Sequence, residues 1–329
     1  MMDLVKLPAL LLCAALASGC SSVVQLNVRH APQIDLGAAQ TLTVQDFSVS
    51  GQVDLAVGGE GDVLRNLLTR TIASSLAAPA DVNVQKQHHT ALVEALLRNG
   101  HFKVSEGAGE VRLSGHVAYK VQDALSEKEW KDTQSGDKKE RYTLTRTTTA
   151  EVSFQVADAQ GVVLGAARVS ESMQRKWEGK DAQEVRKAAE NQSVADDVLK
   201  VVSATAAPLV NRIAPYFVLE SRTLEDGDSK RIAEGNKAAE AGRWDEAARA
   251  WQPFLSSHVA EDRNAALYNL SVYDEYNGQL EAALMKLEQL YNATLQARYA
   301  AAADRMRQRI EEMRRLHASE QARAAAQQH

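Results

Sequence analysis

Four of the eight histidines, His88, His89, His101 and His116, fall in one stretch of the chain, and histidine beside carboxylates is a common route to a metal site or a general base. Their spacing supports neither. His88 and His89 are adjacent, so on a helix they point about 100° apart and cannot readily share an ion. None of the four pairs with a carboxylate at metal-helix spacing. Serine, histidine and aspartate all occur, but no Gly-x-Ser-x-Gly elbow does. Gly59-Glu60-Gly61-Asp62 precedes a helical pattern as a phosphate loop would, yet the third glycine and the Lys-Ser/Thr step are missing. It reads as a turn and a helix cap. The residue types therefore predict no catalytic residues, no metal and no cofactor, which leaves the two cysteines, Cys13 and Cys20.

The elements that would carry these side chains are of mixed type up to about residue 222. Thr41 to Val49 is a first strand, with Leu42 and Val44 on one face. Asp62 can cap a helix whose Leu64, Leu67, Leu68, Ile72 and Leu76 recur at helical spacing, and Pro79 ends it. A second helix runs from about Lys86 to Asn99 and buries Leu92, Val93, Leu96 and Leu97, with Gly100 placed as its left-handed cap. Phe102-Lys103-Val104 is a short strand. The clearest strand follows, because Val111, Leu113, Gly115, Val117, Tyr119 and Val121 alternate with Arg112, Ser114, His116, Lys120 and Gln122. Asp123 to Glu140 is densely charged and reads as an exposed connection. Residues 142–156 and 162–171 return as strands around the turn at Asp158-Ala159-Gln160-Gly161, and Asp181 to Ile213 is one long helix kinked at Pro208. Tyr216 to Glu220 can add a last strand. This order predicts an α+β domain over residues 41–222, an antiparallel sheet covered by helices in a two-layer or three-layer sandwich.

At the other end of the chain, the run Leu7 to Leu16, interrupted by Pro8, is too short to span a bilayer and right for the core of a secretory signal. A small residue directly before Cys20, in Leu16-Ala17-Ser18-Gly19-Cys20, resembles the lipobox of bacterial lipoproteins. The resemblance implies that residues 1–19 are removed and that Cys20 carries diacylglycerol on its thiol and an acyl chain, of the palmitate kind, on its amine. Several chains together give stable anchoring where one holds only marginally. Ser21 in place of Asp implies transfer to the outer membrane, facing the periplasm. Removal of the signal leaves roughly 310 residues, one to three domains by length, and only Cys20 among the cysteines, so no intramolecular disulfide or cysteine metal cluster is expected. The net charge of -5 is spread out, and nothing interleaves basic residues with aromatics as a nucleic-acid groove would. Residues 20–40, with Pro32 and Gly37, read as a tether.

Leu42-Thr43-Val44-Gln45-Asp46-Phe47, the leucine helix after it, Phe102-Lys103-Val104 and Val111 to Val117 together are similar to the periplasmic α/β domain of curli-transport (CsgG-like) lipoproteins and the TolB amino-terminal domain, with Phe47 and Gly115 the most pointed residues. Channel members of that family cross the outer membrane as a barrel. Here the alternate row Tyr142, Leu144, Arg146, Thr148 contains a charge, which argues against a lipid-facing strand.

Residues 223–329 form a second, all-α domain. Gly242-Arg243-Trp244-Asp245-Glu246-Ala247-Ala248 repeats as Gly278-Gln279-Leu280-Glu281-Ala282-Ala283-Leu284, with Trp251 opposite Leu287 and Gly235 opposite Ser271. This resembles the tetratricopeptide repeat (TPR), in which small residues let two helices approach and large ones fill the gap to the next pair. Residues 294 to about 325 then read as one long capping helix, with a fraying tail from Ala318. Three aromatics are candidate partner contacts: Trp130 in the charged connection, and Tyr268 and Tyr276, two turns apart, in the groove of the repeat, where such tyrosines also serve as core. The expected function is non-enzymatic, an outer-membrane lipoprotein that scaffolds or regulates an envelope assembly through an unidentified protein partner. The alternatives are an oligomeric component of a curli-type secretion apparatus and a cell-wall hydrolase. A homo-oligomer is compatible with the first two.

Overall fold

A computed structural model describes residues 22–56, 78–131, 138–326 and 328. Cys20 and the helix expected over Leu64 to Leu76 lie outside the described residues. The chain divides into two compact units, Arg29–Tyr216 with Glu312–His329, and the residues up to Val28 with Phe217–Glu311.

The first unit is built on a mixed sheet. Its strands are β2 (Thr41–Val44), β3 (Ser48–Asp54), β4 (Lys103–Val104), β5 (Val111–Lys131), β6 (Lys138–Asp158) and β7 (Val163–Gly179). The order is β4-β2-β5-β6-β7, with β3 also on β5. β5, β6 and β7 form the expected antiparallel meander, whereas β2 and β3 run parallel to β5 and β4 runs parallel to β2. The strand expected over residues 41–49 is interrupted: Val44 pairs with Leu113 but Ser48 pairs with His116, so β2 to β3 holds one residue more than its partner. That extra residue turns Phe47 into the core, where it is buried.

Helices α1 (Asp81–Asn99), α2 (Ala182–Glu190), α3 (Val194–Ala204) and α4 (Ala206–Ile213) accompany the sheet. Leu92 and Leu96 of α1, Val198 and Val202 of α3, and Leu209 and Ile213 of α4 share one core with Leu113, Val117, Val121, Val152 and Val156. Gly100 ends α1 at φ 71°, with its N–H on the Leu96 carbonyl, as its position predicts. Leu97 is 62% exposed instead of buried, because it points away from the sheet-facing stripe of Val84, His88, Leu92 and Leu96. The single helix expected from Asp181 to Ile213 is three helices. Asp181 caps the first through Gln183 N and Glu184 N, and Ser193 caps the second through Asp196 N, so each capping residue begins a new helix. The charged stretch Asp123 to Glu140 is mostly strand, since β5 and β6 extend outward to the pair Lys131 and Lys138. Charges sit on both faces there and hide the alternation.

The second unit contains the expected helical pairs. Its helices are α5 (Lys230–Glu240), α6 (Trp244–Trp251), α7 (Ala260–Tyr276) and α8 (Leu280–Thr294), followed by α9 (Ala297–Ala326), which continues beyond this unit. Gly242 and Gly278 take φ 75° and 73° in the two turns, and the next N–H in each, Arg243 or Gln279, bonds back to the carbonyl of Ala238 or Asp274. The repeat is thus structural: the same left-handed turn closes both hairpins. Ala247 and Ala283, and Trp251 and Leu287, are buried at matching positions. A Cβ on Gly235 would meet the Trp251 ring, so the residue opposite the indole must be glycine.

The tether expected at residues 20–40 is replaced from residue 23 by structure. Strand β1 (Val23–His30) pairs with β8 (Tyr216–Thr223). Val24, Leu26 and Val28 alternate into the core of Leu224, Ile232, Ala239 and Trp251, which is the physical reason the segment cannot be a free leash. Farther on, Ile34 and Leu36 are buried in the core of the sheet unit. The tail of α9 does not fray at Ala318 either, since Arg323 donates to the carbonyls of Ala39 and His101. Among the described residues no helix is long and apolar enough to cross a membrane.

Candidate functional site

The two hairpin turns of the helical unit bring Trp244, the first residue of α6, beneath Tyr276, the last of α7. The rings stack at 4.5 Å and 18°, with Trp244 buried and Tyr276 half exposed. Close by, the hydroxyl of Tyr273 donates to Asp245 Oδ1 at 2.8 Å, which fixes α7 against the start of α6. The result is a flat aromatic face that is already ordered by its own contacts. Such a face can take an apolar or cationic group from a partner without ordering a loose side chain first.

Tyr268 is placed differently. It packs among Leu267, Leu290 and Tyr299, its ring centroid 6.0 Å from that of Tyr299, and burial raises the pKa of its hydroxyl. Eight residues along a helix of 3.6 per turn leave a rotation of about 80°, so Tyr268 and Tyr276 cannot line one groove. Trp130 stands on β5 opposite Lys139, and its side chain lies outside the described residues.

Several polar constellations were not visible in the sequence because their members are distant along it. Glu275 receives Arg222 Nε at 3.0 Å and Nη2 at 2.7 Å, and also pairs with Arg309. Asn269 joins Asn236 Oδ1 to the carbonyl of Glu225, while Trp251 Nε1 donates to Asn236 Oδ1 at 3.1 Å. Tyr299 donates to Glu225 Oε2 at 2.8 Å, and burial together with that bond raises the tyrosine pKa. These bonds satisfy the buried polar groups between the hairpins and β8, a structural task.

In the sheet unit, His116 lies between two hydroxyls, with Ser48 Oγ 2.8 Å from Nδ1 and Ser50 Oγ 2.8 Å from Nε2. A serine nucleophile needs its histidine oriented by a third group, typically a carboxylate. Here the second nitrogen is occupied by another serine, so the geometry is that of a cross-strand hydrogen-bonded cluster. His88 is buried against Phe47, and His101 meets Arg323; burial first, then the neighbouring cation or His89, lowers both to a pKa of about 4. Glu127, Glu129 and Glu140 gather at the exposed end of the β5–β6 hairpin without a histidine or cysteine among them. Beneath the last turns of α9, a cavity of about 60 Å³ lined by Leu36, His101, Ile213, Pro215 and Leu316 has room for a few waters, well short of a pocket for an organic ligand.

A protein-family profile described as "Domain of unknown function (DUF6340)" matches residues 233–315, from α5 into α9. No curated protein sequence matches at a significant level. Among solved structures, a minor lipoprotein from Acinetobacter baumannii is 12% identical with a TM-score of 0.20, covering 53% of this chain and 90% of its own. A candidate neuraminyllactose-binding hemagglutinin homolog from Helicobacter pylori is 6% identical with a TM-score of 0.22, covering 53% and 95%. A candidate lipoprotein from Caulobacter crescentus CB15 is 14% identical with a TM-score of 0.15, covering 41% and 87%. Overlaps this weak carry no argument about what the chain does.

Proposed function

We propose that this chain is a non-enzymatic envelope lipoprotein, held by acyl chains on Cys20 in the outer membrane and facing the periplasm, that offers its helical hairpins to a protein partner. The observation that carries the partner role is the Tyr276–Trp244 stack, an exposed aromatic on a buried aromatic base at the point where both hairpin turns meet. Tyrosine and tryptophan are enriched among the few residues that carry most of the affinity in protein interfaces. The anchor rests on the Leu7–Leu16 run and on Gly19-Cys20-Ser21.

Two experiments test the reading separately. Growth with labelled palmitate should label the wild-type chain and leave Cys20→Ser unlabelled; labelling of both would remove Cys20 as the attachment point. A photo-crosslinker placed at Tyr276 in cells should trap one discrete partner, with a crosslinker at Met285, an exposed residue of α8, as the comparison. Equal trapping at both positions would sink the aromatic face as the contact.

A further inference from the structure

Strand β7 is the edge of the sheet. It pairs with β6 from Val163 to Gly179 and has no strand on its other side among the described residues. Every second residue of such a strand directs its N–H and C=O outward, a ready template for another strand. Past the irregularity at Val156/Ala157, the pairing with β6 is regular from Gly165 to Gly179. This leaves an edge of about 45 Å without a bulge. Edges of that length are normally blunted by charge, and β7 does carry Arg168, Glu171, Arg175, Lys176 and Glu178.

The order of those charges is not that of a simple guard. If a second copy of β7 lies antiparallel with Met173 opposite Met173, then Arg168 faces Glu178 and Glu171 faces Arg175, each twice by symmetry. On the same register Val169 faces Trp177 and Ala167 faces Gly179. Parity is kept, so the exposed row Arg168, Ser170, Ser172, Gln174, Lys176, Glu178 meets itself, and the more buried row Val169, Glu171, Met173, Arg175, Trp177 does the same. Moving the second strand by one pairing step in either direction sets Arg168 against Lys176 or Lys180. Centring on Glu171 or Arg175 sets like charge on like. Opposite charges directly across a pair of strands stabilise it and like charges oppose it, so Arg168 and Glu178 select one register and penalise its neighbours, whereas Arg175 is already held by Asp197 of its own chain.

We infer that β7 is a self-pairing edge, through which two copies of this chain join their sheets about a two-fold axis at Met173. The inference does not depend on the lipid anchor or on the aromatic face. The arrangement is isologous, each patch being its own complement, and this is what a closed pair requires.

The test uses the full-length chain in detergent, its mass read by sedimentation equilibrium. Arg168 and Glu178 are exposed and, among the described residues, make surface ion pairs with Glu151 and Arg141. Arg168→Glu and Glu178→Arg should therefore fold as the wild type does. The wild type is expected at the mass of two copies. Each single reversal places like charges across the axis twice and should weaken association at least about tenfold. An equimolar mixture of the two variants brings opposite charges back together at both ends and should restore the doubled mass. That recovery also shows that both variants are folded. A single-copy mass for the wild type at tens of micromolar, a doubled mass that ignores both reversals, or a mixture no heavier than its components would each overturn the proposal.

Discussion

Arg146 on β6 and Asp123 on β5 face each other across the ladder, both about 3% exposed, with Nε on Oδ1 at 2.8 Å and Nη2 on Oδ2 at 3.0 Å. The guanidinium also donates to the Ala189 carbonyl of α2 and lies 5.3 Å from the centre of the Trp177 ring. The row Tyr142, Leu144, Arg146 therefore faces α2 and a small core of Leu144, Val185 and Ala189.

A buried charge that loses its partner is more costly than the pair is favourable. Arg146→Met or Asp123→Leu alone should lower unfolding stability by about 3–5 kcal/mol, and the two changes together by much less. Urea denaturation of the two singles and the double decides this; additive losses would show that the pair is not coupled.

Gly115 sits beneath Phe47. A Cβ at position 115 would lie 2.6 Å from Phe47 Cε1 and press on the carbonyl of Ser153 as well. Gly115→Ala should destabilise the sheet unit by about 1–3 kcal/mol, whereas Gly107→Ala, whose Cβ would meet Ser105 Oγ at an ordinary 3.9 Å, should change little. The comparison needs only thermal melts of both variants.

His88 stays neutral in the fold, with its pKa held near 4 by burial against an ordinary value of 6.5, and its Nε2 has no partner among the described residues. The unfolded chain thus binds a proton between those values that the folded chain refuses. Stability from this group is complete above pH 6.5 and is lost as pH falls toward 4, by up to about 3 kcal/mol. His88→Phe should flatten the acid limb of the stability curve measured from pH 7 to 4, while an unchanged slope would assign the loss elsewhere.

Tyr268 and Tyr276 should separate by phenotype. Tyr268→Ala removes a packed ring and should cost roughly 2–4 kcal/mol in stability. Tyr276→Ala removes a ring that is exposed on one side and should cost less than about 1 kcal/mol, with loss of the trapped partner. Denaturation of both variants, and photo-crosslinking from the exposed neighbour Asn277 in each, give the two readouts.

Much of the fold was legible where one signal stood alone. The alternation of Val111 to Val121, the Leu92 and Leu96 part of the α1 stripe with Gly100 behind it, and the repeated Gly242 and Gly278 turns each appear in the structure as read. Legibility failed where two signals overlapped. Charges on both faces concealed the outer arms of β5 and β6, and the caps Asp181 and Ser193 were lost inside what looked like one helical run. Val24, Leu26 and Val28 do alternate, but Pro32 and Gly37 beside them suggested a leash, and only the partner strand, nearly two hundred residues later, shows them to be core. Of the candidate contacts, helical geometry alone should have parted Tyr268 from Tyr276.

The distance between those partners sets an order of events at birth. The N–H of Leu224 closes on the carbonyl of Ser22, so β1 emerges early and waits for β8 while everything between them is made. At about 5–20 residues per second this wait lasts roughly 10–40 s. Through that interval Val24, Leu26 and Val28 are apolar side chains without the partner that buries them in the fold, the kind of segment that a chaperone must cover or that finds the wrong mate.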